Sequence, residues 1–135
     1  MGPLLVYGTE WLSAALTALA ISGPLINRLR ARLGLQRVAW LNRWHYWLGA
    51  SAAIAAMLHV LISVTGAQLA FAAEIGLWLG SVAAALIVIE AVLGATMRGM
   101  REPDFGRSRR RHLAIMTALV VAVGLHSVLN GPLAR

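Results

Sequence analysis

The sequence of 135 residues is 59% hydrophobic and only 13% charged, with a mean hydropathy of +0.73. A soluble domain of this length could not bury so much apolar surface, whereas a membrane protein exposes it to lipid. We therefore predict an all-α membrane protein, a bundle of four transmembrane helices in a lipid bilayer. Because the sequence has no cysteine, disulfides, iron–sulfur clusters, thiolate-ligated haem and covalently attached c-type haem are excluded for this chain.

The net charge of +7 is concentrated in two segments. All twelve basic residues are arginines, and eleven of them lie in segments 28–43 and 98–111. Basic segments that flank apolar helices are typical of cytoplasmic loops. We therefore predict an integral protein of a bacterial inner membrane, with both arginine-rich loops cytoplasmic and both termini on the outer side, and we expect no nucleic-acid binding. These loops could also dock an acidic soluble protein.

The first half of the chain predicts two spanning helices. Residues 4–26 are apolar without a basic N-terminal region, which favours a helix over a cleaved signal peptide. Pro24 is expected to kink or end this helix, so that residues 27–37 form a basic linker. A second helix is predicted over residues 42–64, with interfacial aromatic residues at its start, and a short outer loop over residues 66–71.

The second half predicts two more spanning helices. The third covers residues 72–97, where Gly80 and Gly94 allow close helix packing. Residues 97–111 form the second basic loop, and the fourth helix covers residues 110–129.

The four histidines form two pairs with the same sequence separation. His45 and His59 are 14 residues apart, and so are His112 and His126. Fourteen helical residues return to nearly the same face and rise by about 21 Å. Since the second and fourth of four spans run in the same direction, we predict two pairs at two depths. They are the inner pair His45 and His112, nearer the arginine-rich loops, and the outer pair His59 and His126.

Two facing histidine pairs at two depths are the arrangement that two stacked haems require. A neutral imidazole is a strong metal ligand, and histidine in lipid is uncommon unless it is functional or paired. We therefore predict two haem b groups, with the inner pair bound to the iron of one and the outer pair to the iron of the other. Small residues on the same helix face leave room for a macrocycle, namely Gly49, Ala52 and Ala56.

Haem propionates need polar partners. Arg43, Arg110 and Arg111 flank the inner histidines, and an arginine fork suits a carboxylate. The candidates near the outer haem are Gln68, Ser127 and Asn130.

Glu90 is the only acidic residue well inside a predicted span. Intramembrane acids are expensive and often functional. Two interpretations are open: a quinone or proton site, and a carboxylate held by a neighbouring arginine, tryptophan or haem pocket.

The histidines also allow haem-free interpretations. They could bind zinc or protons in a membrane histidine protein. They could instead serve only packing, in a small scaffold subunit of a larger redox complex.

Two segments resemble the ligand helices of two-haem b-type transmembrane cytochromes. They are RWHYWLGASAAIAAMLHVL (Arg43 to Leu61) and RRRHLAIMTALVVAVGLHSVLNG (Arg109 to Gly131). In respiratory-complex cytochrome b, and in the ferric reductase and NADPH oxidase transmembrane domain, two helices separated by a non-ligand helix each carry such a histidine pair. The resemblance covers the second to fourth helices and implies that the axial ligands are His45, His59, His112 and His126.

The resemblance implies transmembrane electron transfer, because two axial histidines leave no open position for oxygen. Electrons would be exchanged with quinol or a redox partner protein, with quinol or ferric reductase-type activity possible, alone or as a subunit of a larger redox complex. The sequence contains no GxGxxG motif and no Pro-Glu-Trp-Tyr motif of quinol oxidation. We therefore expect a haem-bearing core without a flavin or nicotinamide domain.

Overall fold

The protein is described by a computed structural model that covers residues 3–65, 74–101 and 103–130. These ranges contain no strand. Each of the helices is long and apolar enough to cross a membrane. The prediction of an all-α membrane protein with four spanning helices is therefore confirmed. The helices are α1 (Pro3–Arg32), α2 (Ala39–Thr65), α3 (Glu74–Met97) and α4 (Asp104–Leu129).

Large apolar side chains lie on the outside of the bundle and small ones lie inside. Trp78 is 68% exposed and Ile54 is 64% exposed, whereas Ala52 is only 3% exposed. In water such a surface would be unfavourable, but in lipid there is no gain from burying it, and small residues let helix backbones approach closely. This distribution suits a helix bundle surrounded by lipid.

Two predicted helix ends were wrong. The first helix does not end near Pro24 but continues to Arg32, and the fourth begins at Asp104, before the arginines that we assigned to a loop. Arginine is a good helix former, so a helix can continue past the apolar segment that defines the membrane span. Asp104 also lies in the first turn of α4, where a negative charge is favourable.

Part of the predicted outer loop and helix start cannot be compared with the structure. Residues 66–71 of the loop, and residues 72 and 73 at the predicted start of the third helix, lie outside the described ranges.

The helices form two antiparallel hairpins. Thr9 near the start of α1 contacts His59 near the end of α2, and Glu90 near the end of α3 contacts His112 near the start of α4. The closest packing is within the hairpins α1–α2 and α3–α4, and α2 also packs against α3. Because His59 near the end of α2 also lies beside His126 near the end of α4, the start of α1 and the end of α4 lie at one end of the bundle, which we call the outer end. The arginine-rich segments lie at the opposite, inner end.

The turn of the first hairpin is fixed by a buried asparagine. The side chain of Asn27 donates to the Val38 carbonyl at 3.0 Å and to Asn42 Oδ1 at 2.9 Å, and it accepts from the Val38 amide at 2.8 Å. This network satisfies backbone groups between α1 and α2 that would otherwise be unpaired in a poorly hydrated region.

The centre of the bundle is packed between the two histidine levels. Leu119 is 2% exposed and lies in one cluster with Ala83, Ile87 and Ala122. Leu119 is also midway between His112 and His126 in sequence. An apolar, solvent-free layer therefore separates the inner pair from the outer pair.

Candidate functional site

The structure brings the histidines together across α2 and α4. The ring centres of His45 and His112 are 5.9 Å apart, with an angle of 77° between the ring planes. The ring centres of His59 and His126 are 6.5 Å apart, with an angle of 73°. Each pair thus consists of one imidazole from each hairpin.

His45 is oriented by a carbonyl group that α1 leaves free. Its Nδ1 lies 2.7 Å from the Ala20 carbonyl oxygen. The amide that would normally bond this carbonyl belongs to residue 24, which is Pro24 and has no N–H. The proline inside α1 therefore supplies an acceptor for the inner pair. Because a carbonyl oxygen only accepts, His45 Nδ1 carries the hydrogen.

His126 is oriented by two glycines of α3. Its Nδ1 lies 2.7 Å from the Gly76 carbonyl oxygen. A Cβ at Gly80 would lie only 2.9 Å from Cε1 and 3.0 Å from Nδ1 of the His126 ring. The missing side chain of Gly80 is thus what lets the imidazole reach the backbone of α3.

His59 is oriented by a threonine of α1. Its Nδ1 lies 3.3 Å from Thr9 Oγ1. The single hydroxyl hydrogen of Thr9 is directed to the carbonyl groups of its own helix, at 2.9 Å from Val6 and 3.0 Å from Leu5. Thr9 Oγ1 therefore accepts, and His59 Nδ1 donates.

His112 is oriented by a carboxylate. Its Nδ1 contacts Oε2 of Glu90, which lies on α3 and is 7% exposed. The residue in contact with the Glu90 carboxylate is therefore a histidine and not the predicted arginine or tryptophan.

Three of the four imidazoles, those of His45, His59 and His126, therefore carry the hydrogen on Nδ1, and in the fourth Nδ1 contacts the Glu90 carboxylate without a hydrogen bond of regular geometry. In a neutral ring with a hydrogen on Nδ1, Nε2 is the unprotonated nitrogen and is free to bind a metal. Metal-binding histidines usually donate their other ring N–H to a carboxylate, a backbone carbonyl or another acceptor, which fixes the ring. The chain shows this pattern at both levels.

A cavity of about 100 Å³ lies beside the inner pair. It is lined by residues of α1, α2, α3 and α4, including Tyr46 and both inner histidines. Gly49 and Gly94 also line it, and no atom lies within 4 Å of where their Cβ atoms would be. Of the small residues predicted on the histidine face of α2, Gly49 and Ala52 line this cavity, whereas Ala56 packs against the central cluster.

The predicted propionate partners lie at the surface. Arg43, Arg110 and Arg111 are exposed at the inner end. Arg98 instead lies over the Tyr46 ring, with its guanidinium carbon 4.4 Å from the ring centre. At the outer end Ser127 and Asn130 are half-buried, and Gln68 lies outside the described ranges.

Sequence reasoning missed the residues that orient the histidines. They are Ala20 and Gly76, which act through backbone oxygens, and Thr9. Pro24 was the available signal, because a proline inside a helix frees the carbonyl four residues earlier. The Arg98–Tyr46 contact was also missed, since arginines were assigned by their distance in sequence from the histidines.

Within the described ranges, no group of three or more histidine, aspartate and glutamate side chains converges as a metal site. Comparisons with protein-family models, curated proteins and solved structures return no significant match to this chain. The family resemblance of the histidine helices therefore remains a prediction.

Replacing Pro24 by alanine should disturb His45 alone among the histidines. The new amide can bond the Ala20 carbonyl within α1 and compete with His45 Nδ1 for it. We expect the ¹⁵N NMR signals of the His45 ring to move in P24A, measured on haem-free protein labelled at histidine. Pro103→Ala, in the turn before α4, is the matched control. Unchanged His45 signals in P24A would contradict the role of the freed carbonyl.

Replacing Gly80 by alanine should displace His126. Alanine normally favours a helix over glycine by about 1 kcal/mol, but here the added methyl meets an anchored ring, and such overpacking costs about 1–3 kcal/mol. We expect G80A to be less stable than the wild type in detergent unfolding. Gly124→Ala, where no atom lies within 4 Å of the added Cβ, is the control and should be neutral or stabilising. Equal stability of the two variants would argue against the close Gly80–His126 approach.

Proposed function

We propose that this chain binds two b-type haems between α2 and α4 and carries electrons between the two ends of the bundle across a membrane. The observation that carries the proposal is the common orientation of the four histidines. Each Nδ1 faces an acceptor on α1 or α3, which leaves each Nε2 free within its pair.

The spacing within each pair fits two axial ligands of one iron. An imidazole nitrogen bonds a first-row transition metal at about 2 Å, and the ring centre lies about 1 Å behind the nitrogen, so two imidazoles on opposite sides of one metal have centres about 6 Å apart. The separations of 5.9 Å and 6.5 Å match this distance. Two imidazoles at each level are the number that the axial positions of haem require.

When bound, haem iron supplies one-electron redox chemistry, and the protein supplies position and environment. The histidines fix the spacing of the two centres at about 21 Å along the helices. Leu119 and the alanines around it keep water out of the layer between them. Because two histidines would hold each iron, the site would favour electron transfer over oxygen binding.

The inner cavity is smaller than a porphyrin, so the hairpins have to separate to admit one. Packing between the hairpins is less extensive than packing within each of them. Gly49 and Gly94 already leave space on both sides of the opening. The long side chains of Arg43, Arg110 and Arg111 at the inner end can then turn toward the propionates. Arg98 is a further candidate, because it lies over the ring of Tyr46, which lines the cavity.

The arginine distribution supports an orientation with the inner end in the cytoplasm and both chain termini outside, as in a bacterial inner membrane. Electrons would enter or leave at the two ends through quinol or a soluble redox protein. A role as a subunit of a larger redox complex is part of the same proposal. Glu90 contacts His112, and a quinone or proton site at Glu90 stays a prediction.

The first test is haem content. We expect the purified wild type to show a b-type haem spectrum with two haems per chain. His45→Ala and His112→Ala should each lose the inner haem, and His59→Ala and His126→Ala should each lose the outer one. Thr117→Ala, whose hydroxyl bonds only the Leu113 carbonyl of its own helix, should keep both. Wild-type protein without haem, or loss in H45A with full retention in H112A, would refute the proposal.

The second test is electron transfer across a bilayer. Liposomes that contain the protein and an enclosed one-electron oxidant should reduce that oxidant when a membrane-impermeant reductant is added outside. Vesicles with the single-haem variants H45A or H59A should lose at least about tenfold in rate, because electron transfer over the full span needs both centres. Equal rates for H45A, H59A and the wild type would exclude a path through the two haems.

A further inference from the structure

The four imidazoles differ in the charge of their partners. His45 and His126 face backbone carbonyls, and His59 faces a hydroxyl. Only His112 faces a carboxylate, that of Glu90, which is almost fully buried. The two levels of the bundle are therefore nearly equal in ligand geometry and unequal in charge.

We infer that Glu90 makes the inner haem the lower-potential centre and thereby directs electrons from the inner end of the bundle to the outer end. The inference rests on the two proposed haem sites. The Glu90 carboxylate contacts Nδ1 of His112, and a carboxylate beside a ligating histidine makes that ligand more basic. A nearby negative charge also stabilises the oxidised iron, which carries one more positive charge than the reduced iron.

The arginines of the inner end act in the opposite direction, so their strength has to be compared with that of Glu90. Arg43, Arg98, Arg110 and Arg111 are all exposed. Charges in water are screened over about 8 Å at physiological ionic strength, whereas buried charges are screened much less. Glu90 is buried and touches the ligand itself. Its effect on the potential should therefore exceed that of the arginines.

The outer half of the bundle contains one acidic residue that is buried to a similar extent as Glu90, namely Glu10. Glu10 is 8% exposed, and within the described ranges it forms no ion-pair contact with a histidine. The only ion-pair contact within those ranges is between Glu90 and His112. Glu10 therefore acts on the outer haem only through space, without changing the basicity of a ligand.

The transfer itself balances without a further reactant. One electron would pass from the haem held by His45 and His112 to the haem held by His59 and His126, so that the first would be oxidised and the second reduced by one electron. No proton crosses the apolar layer around Leu119. A one-electron donor at the inner end would reduce the inner haem again. A one-electron acceptor at the outer end would oxidise the outer haem again.

The test uses proteins that hold a single haem, so that each potential can be measured alone. His59→Ala retains the inner haem, and His126→Ala is a second route to the same state. Adding Glu90→Gln to either should raise the midpoint potential by about 60 mV or more, which is a tenfold change in the equilibrium constant of a one-electron couple. Glu10→Gln in the same background is the matched control and should leave the inner potential unchanged. Glu90→Gln in His45→Ala, which retains only the outer haem, should also change little.

The opposite results would overturn the inference. The inference is wrong if Glu90→Gln leaves the midpoint potential of the inner haem unchanged or lowers it. It is also wrong if the inner haem of the wild type has a higher midpoint potential than the outer haem. If Glu90→Gln releases the haem, Glu90→Asp keeps the charge. If the Glu90→Asp variant keeps its inner haem at a potential below that of the outer haem, the inference is supported. An inner potential above that of the outer haem contradicts it.

A haem-free measurement separates this inference from the proposed function. In histidine-labelled protein without haem, Glu90→Gln should move the ¹⁵N signals of the His112 ring and leave those of His45, His59 and His126 in place. Unmoved His112 signals would refute the contact even if both haems bind. Wild-type protein that shows the contact but never takes up haem would refute the proposed function instead.

Discussion

The site depends on the anchoring of each imidazole through Nδ1 by a helix that carries no histidine. α1 anchors both histidines of α2, and α3 anchors both histidines of α4. A histidine on a lipid-surrounded helix has two free torsions and two chemically different nitrogens, so its position along the helix does not determine which nitrogen faces the partner. α1 and α3 remove that freedom. These two helices are therefore part of the site, although neither contributes a metal ligand.

Much of the fold could be predicted from the sequence because lipid imposes a simple rule. Each span must satisfy its own backbone hydrogen bonds, so a long apolar run is a helix. The rule does not define where a helix ends in water. Arg32 and the arginines that follow Asp104 are helical because arginine is a good helix former, and neither Pro24 in α1 nor Gly106 in α4 ends its helix. The errors in the predicted ends therefore fall in the charged segments, where apolarity carries no information.

The anchors of the histidines were much less predictable than the histidines. The equal spacing in α2 and α4 is a property of side-chain identity and can be counted. The acceptors at Ala20 and Gly76 are backbone atoms, which every residue possesses. Only their context marks them: Pro24 frees the first, and Gly80 gives the ring of His126 access to the second. Glu90 was visible in the sequence, but its partner depended on how α3 rotates against α4.

The two-hairpin architecture has a consequence for stability. Each proposed haem takes one ligand from each hairpin, so each cofactor would join two halves that pack less closely with each other than within themselves. A ligand that binds only the assembled state stabilises it in proportion to the logarithm of ligand concentration over the dissociation constant. Without cofactor, the layer around Leu119 and the packing of α2 on α3 hold the hairpins together. The two proposed haems would add one link on each side of that layer. Separation of the hairpins at the inner cavity, which a porphyrin needs for entry, would then become unfavourable because His45 and His112 would both hold its iron.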